Sequence, residues 1–149
     1  MLKQNAEVVV GVDVGKDQLN EEIKNLPNVH CYESFDARDL SKLKGEWLFD
    51  FFAVDVSFIS VLKIFDGIKE LVSEVERPVE GLVLIKPQFE VGKKNVKKGG
   101  LVDAPLIHLE CEKLVLEGFS KMGVEVLDYF PSSLKGKDGN QEFICHITL

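Results

Sequence analysis

Apolar and polar positions along the 149 residues fall into two alternating patterns. Short β-branched or continuous apolar runs mark strands, and apolar residues three or four apart mark helices. The runs at 7–13, 28–33, 48–56 and 81–85 predict four strands, and the continuous apolar character of the last two is that of buried parallel strands. Between the first two, Leu19 and Ile23 in a polar stretch predict a short helix over 15–24. Ile59, Leu62, Ile64, Phe65, Ile68 and Leu71 repeat at helical spacing before Pro78 resets the chain. Ala104-Pro105 opens a longer helix carrying Leu106, Leu109, Leu114, Leu116 and Phe119, with Gly123 just past its end. Residues 124–130 and 142–149 predict two more strands, joined by a turn-rich connection over 131–139.

That connection is too short for a crossover helix, so the last two strands run antiparallel to each other. The expected fold is α/β: a mostly parallel Rossmann-like sheet with a final antiparallel strand, in one domain over residues 1–149 with no repeat or linker. Because the last strand runs against the others, its first residues lie at the edge where the parallel strands end. Glu142 is thereby predicted to stand beside Asp55 and Lys86, each of which follows an apolar run. The ligand crevice of an open α/β sheet lies at that edge.

Charge and cysteine usage narrow the class. The net charge of -7 argues against a generally basic nucleic-acid binder. Residues 86–98 nevertheless hold five lysines against Glu90, a local cue for a polyanion that a solvated loop explains equally well. Three cysteines, Cys31, Cys111 and Cys145, form no disulfide or zinc spacing and read as buried thiols in a reducing cytoplasm. His30, His108 and His146 show no metal spacing, and no apolar run is long enough to span a membrane.

Four blocks sit at the predicted strand ends: Asp55-Val56-Ser57-Phe58-Ile59-Ser60, Lys86-Pro87-Gln88-Phe89-Glu90, Lys98-Gly99-Gly100-Leu101-Val102 and Gly139-Asn140-Gln141-Glu142-Phe143. A lysine between two carboxylates can hold a hydroxyl and relieve it of its proton. The same residues also fit plainer roles: a strand-end ion pair for Asp55 and Lys86, a cap by Asp55 on a helix starting near Phe58, and an exposed strand start for Glu142. Asp13, ending a strand, can accept hydrogen bonds from ribose hydroxyls or be a loop acid near Gly15. Asp36 can read an amino group or give way to helix capping nearby.

In this order the blocks resemble the haemolysin-A (TlyA) branch of the FtsJ-like RNA ribose 2′-O-methyltransferases, from about Val8 to the C-terminus. The resemblance implies S-adenosylmethionine as cofactor and ribosomal RNA, or a ribosomal subunit, as partner. Asp55, Lys86 and Glu142 match the last three members of the family's Lys-Asp-Lys-Glu tetrad, and Asp13 and Asp36 fall at cofactor-contacting positions. Lys93, Lys94, Lys97 and Lys98 are then expected to meet RNA. The family's first strand, glycine-rich cofactor loop and first lysine of the tetrad are expected ahead of Met1, as is an S4 domain. The sheet is therefore expected to lack a strand between those ending at Asp13 and Val56, a gap that the chain closes with its own strands or covers by self-association. Two alternatives follow: a non-catalytic methyltransferase-like scaffold, and a membrane-active haemolysin. The second is disfavoured because the short helices need their apolar faces for the sheet.

Overall fold

The computed structural model describes residues 1–102 and 104–149, with Gln4 described by its backbone alone. Six strands, β1 (Val9–Val12), β2 (Val29–Tyr32), β3 (Phe51–Val54), β4 (Glu80–Ile85), β5 (Glu125–Lys135) and β6 (Gln141–Thr148), form two sheets. In the smaller, β1 and β2 pair in parallel; the larger has the order β3-β4-β6-β5. Strands β3 and β4 are parallel, whereas β6 runs antiparallel to both β4 and β5, as the short final connection requires. Among the described residues β1 pairs only with β2 and β3 only with β4, so one edge of each stays unpaired. Among the described residues no strand pairing joins the two sheets.

Helices α1 (Glu21–Lys24), α2 (Phe65–Val72), α3 (Pro87–Glu90) and α4 (Pro105–Lys121) connect them, together with short 3-10 turns. The core lies on one face of the larger sheet. Val83 and Ile85 of β4 and Cys145 and Ile147 of β6, all fully buried, meet Phe65 of α2 and Phe119 of α4, whose rings lie 4.5 Å apart. Phe51, Leu82 and Phe130 on the opposite face are 38–40% exposed.

Several elements differ from the sequence expectation for identifiable reasons. The helix expected over 15–24 shrinks to α1, because the Asp13 carboxylate holds the Gly15 N–H, Asp17 turns left-handed (φ 55°) and Asn20 caps the helix at Glu22. The helix expected from Ile59 splits into a 3-10 turn, Val61–Lys63, followed by α2. In α4 the stripe facing the core is Cys111, Val115 and Phe119, four residues apart, while Leu106 and Leu109 are 78% and 61% exposed. The connection expected over 131–139 is largely strand: β5 continues to Lys135 through two irregularities in register. Pro131 is tolerated because β5 is an edge strand. Cys111 and Cys145 are buried as expected, and burial pushes both thiols up to about 12; Cys31 is only half-buried.

Candidate active site

Strand β4 delivers Lys86 to the sheet edge, and Pro87 immediately starts α3, so the lysine stands at a strand-to-helix corner. From there its ammonium reaches back over the end of β3. Nζ lies 2.6 Å from Asp55 Oδ1 and donates to Ser57 Oγ at 2.9 Å. Lys86 is mostly covered, its side chain 13% exposed, whereas Asp55 is 69% exposed. The pair thus has a desolvated cation and a carboxylate open to a ligand. Among the described residues Asp55 caps no helix; the turn after it is held from a distance instead.

Glu90, one helical turn after Lys86, is the residue that holds it. Its buried carboxylate accepts from Ser60 Oγ at 2.6 Å and from the Val61 N–H at 3.0 Å. Burial pushes its pKa above the ordinary glutamate value, against the lowering effect of these two bonds. The segment carrying Asp55 and Ser57 is therefore tied to β4 by Lys86 at one end and to α3 by Glu90 at the other. Between the ties, Phe58 has left-handed backbone (φ 65°) and is 91% exposed, its ring 5.1 Å from that of Phe89. Left-handed geometry is uncommon for a bulky residue and persists only where its surroundings impose it.

The β4–β6 register pairs Ile85 with Phe143. Lys86 and Glu142 are the next residues along the two chains, so both lie at this edge of the sheet. No ion pair joins the two among the described residues; Glu142 packs over Gly136, where a Cβ would stand 2.6 Å from Glu142 Oε1. The structure thus brings Asp55 and Lys86 into contact and places Glu142 on the neighbouring strand.

The two cofactor candidates differ. At the end of β1, Asp13 Oδ1 accepts the Gly15 N–H at 2.6 Å, and the Asp13 backbone bonds Tyr32 O and the Phe35 N–H, each at 3.0 Å. Among the described residues nothing bonds Asp13 Oδ2, so this carboxylate retains an oxygen open to a ligand. Asp36 has both oxygens engaged by the Arg38 side chain and also accepts the Arg38 N–H, which makes it the cap of the 3-10 segment Ala37–Leu43. Those bonds hold its pKa down at about 2. As it stands, Asp36 suits a structural role better than recognition of a neutral amino group.

Lys93, Lys94, Lys97 and Lys98 are all exposed, on the loop between α3 and α4. That loop is anchored by Asn140, which is 1% exposed; its Oδ1 accepts the Val102 N–H at 2.7 Å and its Nδ2 donates to Gly100 O at 2.9 Å. Sequence reasoning assigned no role to Ser57, Phe58, Glu90 or Asn140. All four lie inside the blocks singled out at the strand ends, which was the available signal, but their partners are too far along the chain to be read from spacing.

The sequence profile of the FtsJ-like methyltransferase family matches residues 1–148. The chain is 33% identical to Hemolysin A of Brachyspira hyodysenteriae, with all of the chain and 61% of the relative aligned. It is 34% identical to the 23S rRNA (cytidine-2′-O)-methyltransferase TlyA of Campylobacter jejuni, over 98% of the chain and 55% of the relative. A crystal structure of a protein described as a hemolysin, from Lactococcus lactis, superposes with a TM-score of 0.89 at 33% identity, covering 99% of this chain and 69% of that one. The chain therefore spans little more than half the length of the curated relatives it matches. Among the described residues no helix is long and apolar enough to cross a membrane. A sheet with a terminal antiparallel strand, an Asp-Lys pair at its edge, and a profile match along nearly the whole sequence all agree: this chain belongs to the FtsJ-like methyltransferase family.

Proposed function

We propose that this chain carries the hydroxyl-activating half of a ribosomal RNA ribose 2′-O-methyltransferase of the TlyA type, acting in the cytoplasm. The observation that carries the reading is the Lys86 ammonium held between Asp55 and Ser57 at the mouth of the sheet, with Glu142 on the adjoining strand. Bound S-adenosylmethionine supplies an electrophilic methyl group on a sulfonium. Lys86 orients the ribose 2′-hydroxyl, and Asp55 and Ser57 keep its ammonium from swinging away. Holding two reacting atoms in line removes much of the barrier to such a transfer. The free oxygen of Asp13 fits a ribose hydroxyl of the cofactor, Phe58 offers an exposed ring on which a base can stack, and the lysines at 93, 94, 97 and 98 meet phosphates.

The test is transfer of labelled methyl groups to unmodified ribosomal RNA, with cofactor affinity measured separately by calorimetry. Lys86→Ala should abolish transfer and leave cofactor affinity nearly unchanged, because the lysine acts on the hydroxyl. Near-normal turnover in this variant would sink the assignment.

A second reading, a non-catalytic scaffold, rests on the edges of β1 and β3 that stay unpaired among the described residues. Calorimetry on the unmodified chain separates the readings: micromolar binding of S-adenosylmethionine by a folded monomer excludes the scaffold.

A further inference from the structure

The loop holding Lys93, Lys94, Lys97 and Lys98 has a second basic segment beside it that comes from elsewhere in the sequence. β5 ends at Lys135, and the tight turn into β6 carries Lys137; both lysines are exposed. This turn is closed by the Gly136 N–H to Asn140 O at 2.9 Å and by the Gly139 N–H to Gly136 O at 2.8 Å. The loop closes on itself as well, with the Lys97 N–H on Leu101 O at 2.9 Å and the Gly100 N–H on Lys97 O at 3.0 Å. The buried Asn140 side chain then bonds the loop on both sides, at Gly100 O and at the Val102 N–H. A Cβ on Gly100 would lie 4.0 Å from Asp138 Oδ2, so the two tips stand next to each other.

Six of the chain's 18 basic residues are gathered in this way in a protein of net charge -7. Asp138 on the turn, Glu142 at the strand start and Glu110 of α4, whose Oε1 lies 3.5 Å from Asn95 Nδ2 in the loop, are carboxylates near them. A merely solvated loop is free to move away from the other lysines, but this one is fixed to the turn by a satisfied buried amide. The same turn packs against Glu142 through Gly136, which links the basic surface to the proposed reaction site.

We propose that the 93–98 loop and the 135–137 turn form one composite phosphate-binding surface for structured RNA, in which Lys135 and Lys137 are phosphate contacts alongside the four loop lysines. The inference rests on the RNA reading above and adds to it a second rib, contributed by the β5–β6 turn. Its chemistry is that of a flexible cationic stem meeting a phosphate oxygen: it positions the nucleic acid and reads no sequence.

The test measures binding of a 23S ribosomal RNA transcript by the full chain across a salt series, for four proteins. These are the unmodified chain, Lys135→Gln/Lys137→Gln, a variant with Gln at 93, 94, 97 and 98, and a control, Lys113→Gln/Lys121→Gln on α4. All the substituted side chains are exposed, and matching melting curves establish that the fold is kept. Each lysine that contacts phosphate should lower the slope of log affinity against log salt by about 0.7 to 0.9. The turn variant should therefore lose roughly 1.5 in slope, the loop variant more, and the control nothing. A turn variant identical to the unmodified chain, beside a loop variant that loses slope, overturns the composite surface and leaves the RNA reading standing. Equal losses in the control reduce the effect to overall charge and also overturn it. Absence of salt-dependent binding by the unmodified chain overturns both.

Discussion

The ends of β4 and β1 carry the two acid-bearing corners of this fold, and they are built in opposite ways. At the end of β4, each functional group is held by residues far away in sequence: Lys86 by Asp55 and Ser57, Glu90 by Ser60 and Val61, and the adjoining loop by Asn140, about 40 positions distant. At the ends of β1 and β2, the acids are held by near neighbours, Asp13 by Gly15 and Asp36 by Arg38, each two residues away. Local ties form wherever the sequence allows a turn. Long-range ties exist only once the sheet is assembled, so the side chains of the β4 corner are coupled to the fold more directly than the two carboxylates of the β1–β2 corner. A reaction that needs a lysine fixed between partners gains from the first arrangement. An acid that must meet a separate ligand suits the second, provided that it keeps a free oxygen as Asp13 does.

Cutting a long-range tie should therefore cost the most. Asn140→Ala leaves the Val102 N–H and Gly100 O without their buried partner, and an unsatisfied buried group costs about 1–3 kcal/mol. Urea unfolding should show a loss in that range; a loss no larger than that of a surface substitution would break the comparison.

Glu90 sharpens it through pH. Its folded pKa is raised above the ordinary 4.5. The folded state therefore holds the proton more tightly than the unfolded chain. The favourable contribution is fully present below pH 4.5 and is lost as pH rises through the folded pKa. Glu90→Gln should remove this decline and flatten the pH dependence of the melting temperature above 4.5. An unchanged profile would show that burial of Glu90 carries no linkage.

The smallest effect belongs to the local tie at Asp36. With the pKa held at about 2 against an ordinary 3.8, its contribution is present above pH 3.8 and disappears as pH falls through about 2. Asp36→Asn keeps a capping oxygen but loses the ion pair with Arg38, so a small part of the acid-limb stability should go, and salt should screen it in the unmodified chain. A change as large as that of Asn140→Ala would contradict the less direct coupling of this carboxylate to the fold.

Much of the corner at Asp55 and Lys86 was legible in the sequence, because each piece is announced by a local pattern. Apolar runs ending in Asp55 and Lys86 mark strand ends, and the short final connection forces β6 to run backwards and brings Glu142 to the same edge. The corner at Asp13 and Asp36 was less legible. Asp36 looks the same in sequence whether it caps a 3-10 segment or faces a ligand, and only the bidentate contact with Arg38 separates the two. The leucines of α4 misled for a related reason. Spacing shows that an apolar stripe exists, but which of two stripes turns inward is decided by the sheet beneath, and here Cys111, Val115 and Phe119 were chosen over Leu106 and Leu109.

The sequence by itself determined the strand ends, their relative directions and the chemical types that meet at the edge, because period, run length and connection length act locally on the backbone. Tertiary structure alone decided which of those groups touch. It set Ser57 under Lys86, buried Glu90 against the turn at Ser60, and used Asn140 to bring the β5–β6 turn beside the lysine loop. Such contacts depend on side chains converging from segments tens of residues apart, and no local pattern in the chain encodes that convergence.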